Sequence, residues 1–380
     1  MSEHQHEKDN GEHSHHHHHG HHHDHEGEHH HHHGHHRHRS LLHRIKRKLK
    51  RKKWILPSLI FVAVALAAAA LWSINAIQAQ EKQQIVSGKQ KNVGSGYRDV
   101  SYQGKHYRYN SRITTILYAG VDSDTPLVQT AKYTMAPRAD SISLVVLDEM
   151  HHKITVIALN RDTMTRIRKY TLNGKSRGMF KDHLGYAYTY GNGGKESCES
   201  LCEAISELLY GVPINEYVIS NRASLPLLGD VIGPVSVTVP NDDLADENAA
   251  YTAGSVVTID ASNLETFVRS RDTSVDLSNV GRMERQQAYI NGAMEQILKL
   301  LRESPNNMWK IIQEAEDCVQ TNITRSRYLD LTRVLKNTSY SAGDYYIPEG
   351  EQVVGDFHDE FYPDEDALLQ KVIDIFYIER

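Results

Sequence analysis

The stretch RADSISLVVLDEMHHKITVIALNRDT at residues 138–163 decides the fold of this chain. Two runs rich in apolar and β-branched residues, 142–147 and 154–159, flank a polar segment at 148–152. This is the pattern of two antiparallel strands joined by a short loop. The sequence therefore predicts a β-hairpin at the centre of the fold.

Charged side chains gather at the open end of this predicted hairpin. If its loop centres near Met150, antiparallel pairing places Asp140 beside Asn160. Arg161 and Asp162 leave the second strand at the same point. We therefore expect groups that can perform chemistry at one edge of the sheet.

A third strand is predicted upstream, at residues 113–121 (ITTILYAGV), and it ends at Asp122. Antiparallel pairing with the first hairpin strand would bring Asp122 to the edge that holds Asp140. Two carboxylates and the Arg161 guanidinium at one place suggest a metal ion held by the acids and a phosphate held by the arginine. The alternative is that both aspartates only begin and end strands.

The first 39 residues hold 20 of the 26 histidines and almost no apolar residues. A segment of this composition cannot bury a core, so residues 1–39 are predicted to be a disordered cytoplasmic tail. Neutral imidazoles bind zinc, nickel or copper, and we expect the tail to bind these metals weakly. We interpret such binding as an incidental property.

A membrane anchor is predicted next. Residues 40–53 are strongly basic, and the apolar run at 54–76 has the length of about 20 residues that crosses a bilayer. Trp54 and Trp72 stand where interfacial aromatic residues occur. The basic segment should stay in the cytoplasm, which leaves the later residues outside the cell. The alternative is a signal peptide cleaved near Ala79.

Residues 77–110 are rich in Gln, Lys, Gly and Ser, and are predicted to be a linker to an extracellular globular domain at 111–380. After residue 53 the chain carries 32 Lys and Arg against 41 Asp and Glu, a net charge of −9. An acidic domain is a poor binder of nucleic acid. A phosphorylated partner must therefore meet a local cluster of arginines.

Helical and strand patterns alternate after the hairpin, which predicts an α/β fold around a mixed sheet. A polar, Gly-rich stretch at 169–194 is too long for a simple turn and is interpreted as a functional loop or lid. The other predicted elements are a helix at 195–210, a strand at 215–220, a short helix at 221–228, a strand at 235–239, and helices at 263–268, 282–301, 308–318, 327–335 and 366–376.

Four arginines lie within 17 residues: Arg269, Arg271, Arg282 and Arg285. On a helix, Arg269 and Arg271 would diverge by about 200°, so only an extended or unwinding backbone aims both at one ligand. The polar break at 276–281 favours such an unwinding. The alternative is ordinary ion pairing with nearby surface acids, which contributes little in water.

The three cysteines, Cys198, Cys202 and Cys318, leave at least one thiol unpaired. Cys198 and Cys202 are four residues apart on a predicted helix, where packing in the core is favoured for one of them over a redox motif. A bridge from either to Cys318 stays open.

Taken together, these patterns resemble the LytR-CpsA-Psr family of cell-wall glycopolymer ligases. Each matching segment is weak alone, but their co-occurrence in the family's order is specific. The segments are ILYAGVDS (116–123), ADSISLVVLD (139–148), ITVIALNRDT (154–163), GVPINEYV (211–218), GPVSVTVP (233–240), FVRSRD (267–272) and GRMERQQ (281–287). The resemblance implies a three-layer α/β/α sandwich around a mixed central sheet, preceded by one N-terminal transmembrane helix.

The resemblance also implies an activity, which is Mg²⁺-aided transfer of a glycan phosphate from a polyprenyl pyrophosphate carrier to a hydroxyl group of peptidoglycan. By position, Asp122 and Asp140 match the family's metal-linked aspartates. The matches to its pyrophosphate-binding positions are Arg161, Arg269, Arg271 and Gln286, with Arg282 and Arg285 as supporting residues. Asp162 belongs to the same motif, where it would orient Arg161 or act on the proton of the acceptor.

The sequence departs from the family at two places. Ala139 and Asn160 stand where the family often has Ser and Pro, but neither change removes a charged group. Two other functions stay open for the same residues. One is a lipid pyrophosphate phosphatase, in which water is the acceptor. The other is a membrane-tethered protein that binds lipid or cell wall without catalysis, in a regulatory role.

Overall fold

The computed structural model of the chain describes residues 98–272 and 277–380. Its strands are β1 (Asp99–Tyr102), β2 (Lys105–Tyr109), β3 (Ile113–Val121), β4 (Ala139–Asp148), β5 (Lys153–Leu159), β6 (Met164–Tyr170), β7 (Ser176–His183), β8 (Glu216–Asn221), β9 (Val235–Thr238), β10 (Val256–Ile259), β11 (Val319–Thr321), β12 (Tyr345–Tyr346), β13 (Gly350–Val354), β14 (Asp359–Pro363) and β15 (Tyr377–Glu379). Its α-helices are α1 (Tyr186–Thr189), α2 (Lys195–Leu208), α3 (Ser224–Ile232), α4 (Leu264–Arg269), α5 (Asn279–Glu303), α6 (Pro305–Glu314), α7 (Arg325–Leu335) and α8 (Glu365–Phe376).

The predicted tail at 1–39, basic segment at 40–53 and membrane anchor at 54–76 lie outside the described residues. Within the part of the chain that is described, no helix combines the length and the apolar content needed to cross a membrane.

A six-stranded sheet forms the centre of the fold, with the strand order β11-β8-β3-β4-β5-β12. The pairs β3–β4, β4–β5 and β8–β11 are antiparallel, whereas β3–β8 and β5–β12 are parallel. The prediction of an α/β fold around a mixed sheet is therefore confirmed.

The central hairpin is β4–β5, and its register differs from the predicted one by one residue. Asp148 pairs with Lys153, which leaves a four-residue loop at 149–152, and Ile142 pairs with Leu159. Continued by two residues, this register sets Asp140 opposite Arg161, where Asn160 was expected. His152 adopts a positive φ of 54° in the loop. The apolar pattern of the two strands gives no indication of this loop conformation.

The predicted pairing of the upstream strand is confirmed. β3 runs antiparallel to β4 with Val121 opposite Ala139, and the Asp122 amide donates to the carbonyl oxygen of Arg138 at 3.0 Å. Asp122 therefore lies at the same end of the sheet as the start of β4.

Alternate residues of the central strands face two different layers. On β4, Leu144 and Val146 pack in the large core beneath α1, α2 and α8. Their neighbours Val145 and Leu147 face the opposite side, towards α5 and α7. Because helices cover both faces of the sheet, both sets of residues are apolar. The strands therefore appear in the sequence as nearly continuous apolar runs. Cys198 packs in the large core as expected, and all three cysteines are free thiols.

The stretch at 169–194 is not a loop or lid, and this prediction was wrong. Most of it belongs to the antiparallel hairpin β6–β7, which continues into α1. On β6 the buried Thr165 and Ile167 alternate with Arg166 and Arg168. Because this strand carries so many charged residues on its open face, its period of two is hidden.

The predicted linker at 77–110 is wrong over residues 99–109, and its residues 77–97 lie outside the described part of the chain. Residues 99–109 form β1 and β2, and β2 pairs with β15 at the far end of the chain, with Arg108 opposite Ile378. A partner so distant in sequence leaves no local pattern. Every helix predicted after residue 262 is present, with ends shifted by no more than four residues.

Asp148 fixes the loop of the central hairpin. Its Oδ1 accepts hydrogen bonds from Asn110 Nδ2 at 3.0 Å and from the Met150 amide at 2.9 Å, and its Oδ2 lies 2.6 Å from His151 Nδ1. Burial disfavours the charged form, but the hydrogen bonds from His151 and Met150 outweigh it and lower the pKa of Asp148 below its usual 3.8.

We predict that Asp148→Asn lowers the free energy of unfolding by about 1–3 kcal/mol at pH 7. A carboxylate whose pKa is lower in the folded state stabilises the fold above its unfolded pKa, and this stabilisation is lost as the pH falls through the folded pKa. The difference between variant and wild type should therefore shrink in acid. Urea unfolding from pH 7 to pH 3 measures it, with the exposed Asp356→Asn as control. A difference that does not change with pH would contradict the prediction.

Candidate functional site

Two cavities meet at the edge of the central sheet where β3 ends and β4 begins. The polar cavity has a volume of about 730 Å³ and is lined by charged residues, chiefly Asp122, Arg138, Asp140, Arg161, Asp162, Arg269, Arg271 and Arg282. The apolar cavity has a volume of about 410 Å³ and lies between the sheet and α5. Asp122, Asp140, Arg269 and Arg282 line both cavities. The two cavities therefore share one wall of charged residues.

The start of β4 and the end of β5 supply the centre of the polar cavity. Arg161 Nη1 donates to Asp140 Oδ1 at 2.5 Å, and both side chains are mostly buried. The buried Asp162 carboxylate forms an ion pair with Arg138 and lies 3.5 Å from Arg161 Nε. The carboxylates of Asp140 and Asp162 thus hold the two guanidiniums in place.

Arg269 and Arg271 reach the same cavity because the helix ends between them. α4 stops at Arg269, and Ser270 has the extended dihedral angles φ −59° and ψ 139°. Arg269 Nη2 donates to Asp122 Oδ1 at 2.8 Å, while Arg271 Nη1 donates to Ser278 Oγ at 2.8 Å. The expected unwinding of the backbone between the two arginines is confirmed.

The first turns of α5 bring Arg282 and Gln286 to the shared wall. The buried Arg282 donates through Nη2 to the carbonyl oxygen of Asp140 at 3.0 Å and to Asn279 Oδ1 at 2.5 Å. Gln286 Nε2 donates to the carbonyl oxygen of Val268 at 3.0 Å, and its side chain lines the apolar cavity. Gln286 therefore lies on the apolar side of the site.

The electrostatics of the arginines favours an anionic ligand. Burial and the nearby positive charge of Arg161 lower the pKa of Arg282 to about 9, and the same two causes lower the pKa of Arg271. For Arg161 itself, burial opposes the charge, but the carboxylates of Asp140 and Asp162 outweigh it and raise the pKa. An anion between Arg161, Arg271 and Arg282 would relieve the repulsion among them.

Unpaired donors mark the same place. The Nε atoms of Arg138 and Arg282 are buried and have no hydrogen-bond acceptor among the described residues, and Arg161 Nε has only the Asp162 carboxylate at 3.5 Å. A buried donor without an acceptor is costly and is rare in folded proteins. A ligand with several anionic oxygens would supply the missing acceptors, because guanidiniums bind phosphate oxygens in pairs.

The structure does not place Arg285 in the cavity, so the predicted contact with phosphate is not made. Its side chain is completely buried, Nη1 lies 2.6 Å from Asp243 Oδ2, and Nε donates to the carbonyl oxygen of Phe267 at 3.0 Å. It also donates to the carbonyl oxygen of Ser270. Arg285 therefore contacts Asp243 and the backbone at the end of α4, and it holds the segment that carries Arg269.

Two further arginines of the site were not identified from the sequence. Arg138 lies 4.8 Å above the Tyr186 ring and pairs with Asp162. Arg222 follows β8, with its guanidinium 2.7 Å from Asp124 and 3.7 Å from Asp122. Arg138 could have been found from the sequence, because it lies two residues before Asp140. Arg222 could not, because its place in the site depends on the parallel pairing of β3 with β8.

Asp122 and Asp140 are the candidate ligands for a magnesium ion. Both carboxylates line the polar cavity, and each holds an arginine there. Within residues 98–272 and 277–380, no group of three or more His, Cys, Asp or Glu side chains could hold a metal ion. Two carboxylates nevertheless fit Mg²⁺, which commonly takes its other ligands from water and from substrate phosphates.

The apolar cavity is built from the inward residues of the sheet. Ile116 on β3, Val145 on β4 and Val156 on β5 form one side, while Ile290 and Met294 on α5 form the other. Such a cavity accepts a hydrocarbon chain, and its charged wall accepts an anionic head group. The arrangement therefore suits one amphiphilic ligand whose phosphates lie among the arginines.

The chain was compared with known proteins. The sequence model of the LytR_cpsA_psr family matches residues 67–362. No curated protein matches the chain. Among solved structures, TagV of B. subtilis is similar at 21% identity and a TM-score of 0.50, over 69% of this chain and 98% of TagV.

Two further solved structures have a similar fold. Protein gbs0355 of Streptococcus agalactiae is 20% identical with a TM-score of 0.53, over 70% of this chain and 87% of that protein. A structure described as TagT bound to LIIa-WTA is 16% identical with a TM-score of 0.51, over 70% of this chain and 90% of TagT.

We predict that Arg285→Lys lowers the stability of the fold and weakens the binding of inorganic pyrophosphate together. Lysine cannot reproduce the several hydrogen bonds of a buried guanidinium, and each hydrogen bond of a charged group contributes about 1.5–3 kcal/mol. Urea unfolding and calorimetric titration with pyrophosphate measure the two effects, with the exposed Arg333→Lys as control. Weaker binding at unchanged stability would instead mean that Arg285 touches the ligand.

Proposed function

We propose that this chain, which belongs to the LytR-CpsA-Psr family of cell-wall glycopolymer transferases, moves a phosphorylated glycopolymer from a polyprenyl pyrophosphate carrier to a hydroxyl group of peptidoglycan. The observation that carries the proposal is the wall shared by the polar and apolar cavities. A donor of this class combines a diphosphate with a long hydrocarbon chain, and those two parts match the two cavities.

The apolar cavity would hold the hydrocarbon chain of the carrier. Its inward strand residues and the facing residues of α5 leave a space bounded mainly by aliphatic side chains. Each CH₂ group that leaves water for such a space contributes about 0.8 kcal/mol. Binding the chain would therefore anchor the diphosphate next to the arginines without any contact to the glycan.

The arginines of the polar cavity would bind the diphosphate and the charge that develops during transfer. Phosphoryl transfer passes through a loose transition state, so positioning and electrostatic stabilisation supply most of the catalysis. Arg269 and Arg282 line both cavities, and Arg161 and Arg271 line the polar cavity. Their guanidiniums stay protonated and bind phosphate oxygens in pairs.

Asp162 would act as a positioning residue. Its carboxylate is buried and is held by Arg138 and by the nearby Arg161. Because Asp162 Oδ1 contacts both guanidiniums, of the two roles open from the sequence we favour the orientation of Arg161 over the acceptance of a proton.

Asp122 and Asp140 would hold a magnesium ion, which neutralises phosphate charge when it is bound. Both carboxylates contact arginines of the polar cavity, so ion and arginines would act on the same phosphates. We also propose that residues 54–76 anchor the chain in the cell membrane, with the tail in the cytoplasm and the catalytic domain outside, because the carrier lipid resides in that membrane.

The kind of glycopolymer is inferred from a protein of similar fold. TagT, which has a similar fold, is described as bound to LIIa-WTA. A wall-teichoic-acid type of donor is therefore the first to test with this chain.

We predict that the full-length chain transfers N-acetylglucosamine phosphate from farnesyl pyrophosphate carrying this sugar to isolated glycan strands of peptidoglycan. Arg161→Gln should slow the transfer by roughly 100-fold or more, because one group that stabilises developing charge is lost. The exposed Arg333→Gln is the matched control, and the product is measured by mass spectrometry. Phosphate release without transfer would instead identify a phosphatase. Ligand binding and cellular function that survive Arg161→Gln would identify a binding protein.

We further predict that EDTA abolishes the transfer and that added Mg²⁺ restores it. Asp140→Asn should raise the Mg²⁺ concentration needed for half-maximal rate by about ten-fold or more, since an amide is a weaker ligand than a carboxylate. Asp246→Asn, at an exposed position outside both cavities, should leave this concentration unchanged. Full activity in EDTA would overturn the assignment of the metal.

A further inference from the structure

The turn between β13 and β14 stands at the rim of the polar cavity. Its residues Phe357, His358 and Asp359 line that cavity together with the arginines. Phe357 is 91% exposed, the highest value among the large apolar residues that are described. A single exposed apolar side chain is ordinary, but this one lines the cavity that holds the arginines, where a ligand of that cavity can contact it.

His358 is held in place by its neighbours but keeps its ring nitrogens unoccupied. Its ring lies 5.9 Å from that of His183 and 6.0 Å from that of Tyr186. The Tyr186 ring in turn lies beneath the Arg138 guanidinium at 4.8 Å. Among the described residues, His358 forms no side-chain hydrogen bond or ion pair. The imidazole is therefore positioned at the cavity and free to accept a proton.

The carboxylates of the cavity are less suited to that task. Asp140 pairs with Arg161, and Asp122 pairs with Arg269. Glu265 contacts Arg269 and Arg222 as well. These contacts already engage oxygens of the three carboxylates, and Asp359 Oδ2 accepts a hydrogen bond from the Leu277 amide at 2.9 Å. Imidazole is the side chain that most often accepts protons in catalysis near neutral pH.

The charge of the hairpin limits what Phe357 can contact. Residues 350–366 contain seven Asp and Glu and no Lys or Arg. An anionic membrane surface attracts basic segments, so this acidic hairpin is a poor membrane contact. A neutral ligand with hydroxyl groups meets no such repulsion. The face of a sugar ring, which carries C–H groups, can pack against the ring of Phe357.

We propose that the β13–β14 turn is the subsite for the acceptor sugar, where Phe357 packs against the sugar ring and His358 accepts the proton of the attacking hydroxyl group. This inference rests on the proposed transfer reaction and adds the place of its second substrate. The donor would occupy the apolar cavity and the arginines, and the acceptor would approach from the solvent side of the polar cavity, where the turn lies.

The step balances with the groups named. The hydroxyl oxygen of the acceptor forms a bond to the phosphorus that carries the glycan. The bond from that phosphorus to the bridging oxygen of the diphosphate breaks, and its electron pair leaves with the polyprenyl monophosphate. The proton of the hydroxyl group moves to a ring nitrogen of His358. Attack in line with the leaving oxygen requires the acceptor and the lipid on opposite sides of the phosphorus.

The test uses the full-length chain, farnesyl pyrophosphate carrying N-acetylglucosamine as donor, and an oligomer of β-1,4-linked N-acetylglucosamine as acceptor. Phe357→Ala should raise KM for the acceptor by about ten-fold and leave KM for the donor unchanged. His358→Ala should lower kcat of the transfer by about 100-fold, within the usual range for a general base, with little change in either KM. Val354→Ala, an exposed change on the same hairpin outside both cavities, is the matched control.

The outcomes separate this inference from the proposed function. Transfer by the wild type with normal acceptor KM in Phe357→Ala and normal kcat in His358→Ala would overturn the subsite and leave the function standing. If the wild type shows no transfer, calorimetric titration with the oligomer decides. Binding that Phe357→Ala abolishes supports the sugar subsite, and no binding overturns it. Binding of the oligomer that Phe357→Ala leaves intact would also overturn it.

Discussion

The ion pair between Asp140 and Arg161 is the contact on which the rest of the site depends. It joins the first residues of β4 to the residues that follow β5, and both side chains are mostly buried. Arg161 also approaches the Asp162 carboxylate, which holds Arg138, and the backbone carbonyl of Asp140 accepts a hydrogen bond from Arg282. Burying charges is costly unless each has a partner. The network therefore fixes several guanidiniums at one place, and a ligand would supply acceptors for the buried Nε atoms of Arg138 and Arg282.

The two faces of the central sheet are packed differently, and this difference creates the site. One face packs tightly under α1, α2 and α8, with residues such as Leu117 and Leu144 completely buried. The opposite face leaves the apolar cavity between the strands and α5. An unfilled apolar cavity lowers stability because its lining atoms lack partners. Burial on the tightly packed face offsets that loss of stability. The free space is then available to a hydrocarbon chain whose head group would contact the arginines.

Local patterns in the sequence were sufficient for the central hairpin, the long helix α5 and the gathering of Asp122, Asp140 and Arg161 at one edge. They failed where the deciding contact is distant or the period is hidden. β2 pairs with β15 from the other end of the chain, and the charged residues of β6 hide its alternation. A motif alone also does not tell on which side of a helix an arginine lies, so Arg282 and Arg285 looked equivalent although only Arg282 lines the cavity.

The most direct test of this account is a crystal structure of the chain with farnesyl pyrophosphate and Mg²⁺. We predict electron density for the diphosphate among Arg161, Arg269 and Arg282, density for the metal ion beside Asp122 and Asp140, and the farnesyl chain between the central sheet and α5. A diphosphate bound away from these arginines, or a farnesyl chain outside the apolar cavity, would contradict the account.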